Sequence, residues 1–321
     1  MEVINPYCCG IDVHKKSVTA CLITPKGKEI RTFGTMTSDL LELVDWLEAN
    51  QCTIVAMEST GVYWKPIYNL LEATDIKVLV VNAQHIKAVP GRKTDVKDAE
   101  WIADLLRHGL LRGSYIPDKG QRELRELVRY RRKMIEERSR EASRIQKVLE
   151  GANIKLGDVA SDILGKSGRN ILEALIAGNS NVQEMAQFAQ KRMKSKTALL
   201  EKSLQGLMGK HQQMMLETQL AHIDFLDAQI EKLSQEIEER MRPFEEAIER
   251  LDGIPGIGRR VVEQILVEIG LDMSRFPTDR HIASWAALCP GNNESAGKRK
   301  SGKTRKGDSS LKASLVQAVK A

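Results

Sequence analysis

The stretch Cys8-Cys9-Gly10-Ile11-Asp12-Val13-His14-Lys15-Lys16-Ser17-Val18-Thr19-Ala20-Cys21-Leu22-Ile23-Thr24-Pro25-Lys26-Gly27 decides how this chain is read. Cys8 to Val13 is an apolar run interrupted by one aspartate, and a second apolar run from Ser17 to Ile23 ends in a Thr24-Pro25-Lys26-Gly27 turn. Such a pair predicts antiparallel strands, with Asp12 inside the first. Downstream, Thr53-Ile54-Val55-Ala56-Met57 reads as another buried strand closed by Glu58, and Lys77 to Val81 as a further one. Helical patterns occupy Asp39 to Asn50 and Val62 to Ala73, and a third runs from Val96 to Leu111. Asp95 and Asp98, at its start, are spaced i, i+3, so both carboxylates project from one face of the first turn.

Strands that alternate with helices after an antiparallel start predict a mixed sheet with helices packed on its faces. In a ribonuclease-H-like arrangement of that kind, Asp12, Glu58, Asp95 and Asp98 come together. Hard divalent cations take several such oxygens, and two metals can clamp the attacking and leaving oxygens of a phosphodiester, so phosphoryl transfer is the leading chemistry. Any one of these acids alone has an ordinary structural reading, because carboxylates at helix N-termini satisfy orphan N–H groups. Their order along the chain favours the joint reading.

The chain has 321 residues, enough for two or three domains, and carries 49 Lys+Arg against 43 Asp+Glu, a formal net charge of +6. A pI near 9.0 suits a polyanionic partner. Positive charge concentrates at Lys298-Arg299-Lys300, Lys303, Arg305 and Lys306, just after Ser295. A serine beside dense positive charge is a candidate nucleophile, although a loop serine is most often only a loop residue. The five cysteines, Cys8, Cys9, Cys21, Cys52 and Cys289, are odd in number and sit mostly in apolar strands. They read as reduced core residues. Without a signal peptide or an apolar run of membrane length, a cytoplasmic protein is expected.

Three zones follow: 1–112, alternating strands and helices; 113–243, long helices; and 244–321, a helical C-terminal region. In the middle zone Leu124, Val128, Ile135, Ala142, Ile145 and Leu149 fall in heptad positions, with Arg131 and Arg138 at two seam positions. A cleaner series, Leu216, Leu220, Ile223, Leu226, Ile230, Leu233, Ile237 and Met241, ends before Pro243. Two such helices predict a coiled coil, formed within the chain or between protomers. The other faces of the first helix carry Arg122, Arg125, Arg129, Arg132, Lys133, Arg140, Arg144 and Lys147, a solvated face or a stripe that tracks phosphates. In the last zone Ile254-Pro255-Gly256-Ile257-Gly258-Arg259 before an apolar helix has the form of a helix-hairpin-helix, whose backbone N–H groups approach a DNA phosphate. A plain helix connector is the alternative.

Taken together, Gly10-Ile11-Asp12-Val13-His14-Lys15, Met57-Glu58-Ser59-Thr60-Gly61, Lys93-Thr94-Asp95-Val96-Lys97-Asp98-Ala99, Ile254-Pro255-Gly256-Ile257-Gly258 and Pro290-Gly291 leading to Glu294-Ser295-Ala296-Gly297 resemble the insertion sequence 110 family of transposases, the bridge-RNA-guided DEDD recombinases. The resemblance implies a RuvC-like nuclease domain, a coiled-coil domain and a C-terminal transposase domain. It assigns Asp12, Glu58, Asp95 and Asp98 to a site for Mg²⁺ or Mn²⁺ and Ser295 to the nucleophile; Ser301, six residues on within the basic run, competes by position, but the Glu294-Ser295 context fits the family better. It further implies donor and target DNA, a structured noncoding guide RNA and a homo-oligomer, dimer or tetramer, as partners. Members of the family continue past a helix such as Ser309 to Ala321, so the chain reads as stopping in mid-pattern. The rival readings are a metal-dependent RuvC-like junction nuclease that uses water, and a catalytically inactive nucleic-acid-binding relic.

Overall fold

The computed structural model describes residues 2–82, 96–289, 293–295, 298–301 and 309–320; of these, 96–97, 192, 293–295, 298–301, 309 and 320 are described in backbone only. The chain divides into two compact units, Met1–Ile116 and Pro117–Ala321.

Among its described residues the first unit is built on five strands: β1 (Cys8–Val13), β2 (Val18–Thr24), β3 (Gly27–Phe33), β4 (Ile54–Glu58) and β5 (Lys77–Val81). Their order is β3-β2-β1-β4-β5. The expected hairpin is present: β1 pairs antiparallel with β2, and β2 with β3, whereas β4 lies parallel to β1 and β5 parallel to β4. Parallel neighbours need crossovers, supplied by α1 (Thr37–Ala49) and α2 (Trp64–Leu71). The edge strand β3 keeps Lys28, Glu29 and Arg31 in solvent, which blunts further strand pairing.

Alternation along the strands sorts the side chains onto two faces. Cys9, Ile11, Val13, Val55 and Met57 join Leu43, Leu47, Ile67 and Leu71 of α1 and α2 in one core. The other face presents Cys8, Cys21, Ile23, Ile54, Ala56 and Val81 to Ala99, Ile102, Ala103 and Leu106 of α3 (Val96–Arg107). Helix α3 ends four residues before the predicted Leu111, its carbonyls finished by Gly109 at φ 68°. All five cysteines are free thiols, and the four in this unit are buried, as expected of core residues.

Among its described residues the second unit is helical apart from one small ribbon. Its frame is α4 (Lys119–Gly151) followed by α5 (Leu156–Val159), α6 (Lys166–Ile176), α7 (Val182–Ala186), α8 (Thr197–Ser203) and α9 (Lys210–Met241). Asp118 starts α4 by accepting from the Gln121 amide at 2.9 Å. The long helices α4 and α9 pair with each other, antiparallel: Leu124 and Val128 meet Ile237 and Met241, Met134 meets Leu226 and Ile230, and Ile145 and Leu149 meet Leu216, Leu220 and Ile223. The α9 seam follows the predicted series closely. On α4 the buried line runs through Met134 and Glu141, leaving Ile135 and Ala142 half-buried, because 3.6 residues per turn drift against a seven-residue repeat.

Helices α10 (Glu245–Asp252), α11 (Arg259–Ile269), α12 (Asp279–Trp285) and α13 (Ser309–Lys320) complete the unit. Ile248, Val262, Leu266 and Val267 share one core with Leu124, Val128, Ile237 and Met241, so the C-terminal helices close over one end of the long pair. The predicted loop around Ser295 contains extended backbone instead: β6 (Asn293–Ser295) pairs antiparallel with β7 (Lys298–Ser301). Among the described residues no helix is long and apolar enough to cross a membrane.

Candidate active site

Asp12 is the pivot of the first unit's chemistry. It follows Cys8 and Gly10 on the face that α3 covers, and its neighbour in the parallel ladder is set by Gly10↔Ala56 and Ile11↔Met57. The next step of that ladder places Glu58 beside Asp12, on the same face by alternation. Glu58 ends β4 opposite Val81, where a carboxylate escapes full burial. Its Oε1 accepts a hydrogen bond from the Thr60 hydroxyl at 3.1 Å.

Asp98 reaches the same place from above. Gly10 has no side chain, and a Cβ there would stand 2.3 Å from both the Ala103 nitrogen and the Ala99 oxygen, so α3 rests directly on β1. The helix therefore holds its first turn, which carries Asp98, over the strand end that carries Asp12. Asp95 lies outside the described residues.

Electrostatics agree with this convergence. The Asp12 carboxyl is held above its ordinary value chiefly by burial; the charge of His14 and its hydrogen bond pull it back, while Asp98 and Glu58 push it up as like charges. His14 Nε2 lies 3.0 Å from Asp12 Oδ2, with the Asp12 side chain 14% exposed and that of His14 59% exposed. His14 has no assigned role from the sequence beyond its place in a motif; its position two residues after Asp12, just past the end of β1, was the available signal.

Two carboxylates on one sheet face and a third on the helix turn above it suit a divalent cation by chemistry. Among the described residues, however, no three His, Cys, Asp or Glu side chains stand close enough together to hold one as they are.

The other predicted residues belong to the second unit. Ser295 is opposite Lys298 in the ribbon, and Ser301 opposite Asn293; Ser295, Lys298, Arg299, Lys300 and Ser301 are described in backbone only. Lys303, Arg305 and Lys306 lie outside the described residues. Gly256 takes a left-handed φ of 83°, and the Ala318 carbonyl oxygen of α13 would meet its Cβ at 2.3 Å. Gly258 caps α11, and Arg259 pairs with Glu245 at 2.6 Å and with Glu263 at 3.3 Å.

The arginines of α4 are largely turned to internal use. Arg129 makes a fork with Glu268, Nε to Oε1 at 2.6 Å and a terminal nitrogen to Oε2 at 2.8 Å. Arg125 donates to the Val267 and Glu268 carbonyls at 3.1 and 2.9 Å. Arg132 reaches Glu136 and, on α13, the Ser310 carbonyl at 2.8 Å and the Ser314 hydroxyl at 3.1 Å. Arg131 and Glu263 form an ion pair with both side chains only 4% exposed. Lys133, Arg140 and Lys147 remain exposed, along one stripe of the helix.

Comparison with known proteins places these features in a family. Residues 9–154 match a family model described as a transposase, of the DEDD type of insertion sequence 110, and residues 248–321 match the model of the transposase IS116/IS110/IS902 family. The chain belongs to the insertion sequence 110 family of transposases. The first match spans Asp12, Glu58, Asp95 and Asp98, and the second spans Ser295. This family member is 24% identical over 302 residues to the "Pilin gene-inverting protein" of Moraxella lacunata, covering 89% of this chain and 73% of that protein. The protein of the same name from Moraxella bovis gives 24% over 302 residues. It is also 27% identical over 282 residues to the "Putative transposase y4pF/y4sB" of Sinorhizobium fredii, covering 86% of this chain but 62% of that one.

Proposed function

We propose that this protein is a DNA recombinase that cleaves and rejoins DNA through Ser295, assisted by a divalent metal at Asp12, Glu58, Asp95 and Asp98. The observation that carries the reading is the placement of Asp12 and Glu58 side by side on one sheet face, under the helix turn that bears Asp98. The mixed five-stranded sheet with its antiparallel start supports the reading of this unit as a RuvC-like nuclease core. Mg²⁺ or Mn²⁺ bound there supplies charge neutralisation at the reacting phosphodiester.

In this scheme the Ser295 Oγ attacks phosphorus and loses its proton, the phosphoserine bond forms, and the bond to one sugar oxygen breaks with the proton passing to that leaving oxygen. The basic ribbon strand Lys298–Ser301 offers cations to the charge that develops on the phosphate. Reversal of the step on a second DNA end completes strand exchange. Support for a covalent serine, as opposed to a water-using nuclease on the same carboxylates, is the basic serine segment within the second family match. The family resemblance supports a guide RNA that pairs with donor and target DNA, so that base pairing reads sequence while the protein reads RNA shape and backbone. The turn at Gly256 and Gly258 and the exposed cations of α4 are proposed phosphate contacts. A homo-oligomer, dimer or tetramer, brings carboxylates and serines to several strands.

The test is a denaturing gel of the reaction with radiolabelled DNA and guide RNA. The parent forms a protein–DNA adduct that survives denaturation, Ser295→Ala does not, and Ser301→Ala does. Free DNA ends from Ser295→Ala at the parental rate transfer the function to the water-using nuclease.

A further inference from the structure

A second cleft in the first unit lies away from the carboxylates. It has a volume of about 660 Å³ between the β2–β3 turn and the last two turns of α3, and Lys26, Lys28, Glu100, Trp101, Asp104 and Arg107 line it. Strand register fixes its place: Ile23 at the cleft pairs with Cys8, while Asp12 pairs with Thr19. Four residues of strand put about 13 Å between the two sites.

The lining is unusual in combining three kinds of group. Trp101 is half-buried against the α3 face of the core, with part of its indole toward the cleft. Lys28 pairs with Glu100 at 3.2 Å, and Asp104 faces His108 at 3.7 Å. Arg107 has a buried Nε without a hydrogen-bond partner, and among the described residues no carboxylate pairs with its guanidinium. A buried N–H without a partner is costly, and a guanidinium beside a cleft favours a negative group there. Lys26 stands exposed on the turn.

We propose that this cleft receives one unstacked nucleotide of a single-stranded nucleic acid. The base offers a flat π-face to Trp101, its ring and amino N–H groups can donate to Glu100 and Asp104, and its phosphate meets Arg107 and Lys26. A purely apolar ligand would strand five charged groups, and a bare anion would leave the indole without use and face two like-charged carboxylates. The cleft contains none of Asp12, Glu58 or Asp98, so it stands or falls independently of the cleavage chemistry.

The full chain is titrated with a labelled mixed-sequence single-stranded RNA, the DNA of the same sequence, and a blunt DNA duplex. Lys26→Glu and Trp101→Ala weaken single-strand binding about ten-fold or more, as loss of a stacking platform does, while duplex binding is unchanged. Trp101→Phe retains most of the affinity. Tighter binding of RNA or of DNA supports the cleft and names the source of the nucleotide. Should Trp101→Ala not fold, Lys26→Glu on the exposed turn decides alone. Unchanged single-strand affinity in folded Lys26→Glu overturns the proposal, as does equally effective competition by adenosine monophosphate, which would make this a free-nucleotide site.

Discussion

Gly10 and Ala103 touch backbone to backbone: a Cβ on Gly10 would stand 2.3 Å from the Ala103 nitrogen. No side chain separates helix α3 from strand β1 at that point, and the distance between Asp98 and Asp12 depends on it. Gly10→Ala should push the helix off the sheet and cost about 1–3 kcal/mol or more of stability, the usual range for overpacking. Guanidinium denaturation measures the loss. DNA cleavage should fall further than stability does, because the carboxylates separate.

Asp12 carries a raised folded-state pKa, so its charged form is disfavoured by folding. The sign follows from linkage: the metal-free protein gains stability from this group as pH falls through the folded value toward the ordinary one, and carries a penalty at neutral pH. Asp12→Asn should raise the melting temperature of the metal-free protein at pH 7 and flatten its acid-side dependence. Cleavage should drop by orders of magnitude, since a metal ligand has lost its charge. A thermal melt in chelator alongside a cleavage assay checks both halves.

Arg131 and Glu263 are buried together between α4 and α11. Arg131→Met alone leaves a carboxylate in the core and should cost about 3–5 kcal/mol. Replacing both, Arg131→Met with Glu263→Leu, should recover most of that, because desolvating the pair offsets much of its attraction. Urea denaturation of the two variants and the parent makes the comparison.

Salt dependence separates the cations of α4. Neutralising Lys133, Arg140 or Lys147 to Gln should each reduce the slope of log affinity against log salt for guide RNA by roughly 0.7 to 0.9. Arg129→Gln should act mainly on stability, since its guanidinium is committed to Glu268. Equal slopes for all four variants would defeat the assignment.

Thiol reactivity offers a further check on the sheet core. Burial pushes Cys8 and Cys21 up to about 11 and Cys52 up to about 12, so little thiolate exists at pH 8. Iodoacetamide at that pH should label the half-exposed Cys289 first, with the strand cysteines protected until denaturant is added; mass spectrometry of the digest reads the order.

Much of this molecule was written into local pattern. The Cys8 to Gly27 hairpin, the β4 run closed by Glu58, and the apolar series ending at Met241 all rest on periodicities that a chain segment carries by itself, because alternation and helical repeat decide which side chains can be buried together. Asp12 and Glu58 were legible as candidates for the same reason. Tertiary structure decided the rest. Only the parallel pairing of β1 with β4, forty-odd residues apart in sequence, puts those two acids side by side, and only the missing Cβ at Gly10 lets α3 bring Asp98 over them. The arginine face of α4 looked solvated or phosphate-tracking from spacing alone; Glu268 and Ser314, more than a hundred residues away along the chain, claim Arg129 and Arg132 instead. A guanidinium has the same sequence signature whether it faces water, phosphate or a buried carboxylate, and the distinction exists only once distant helices have packed.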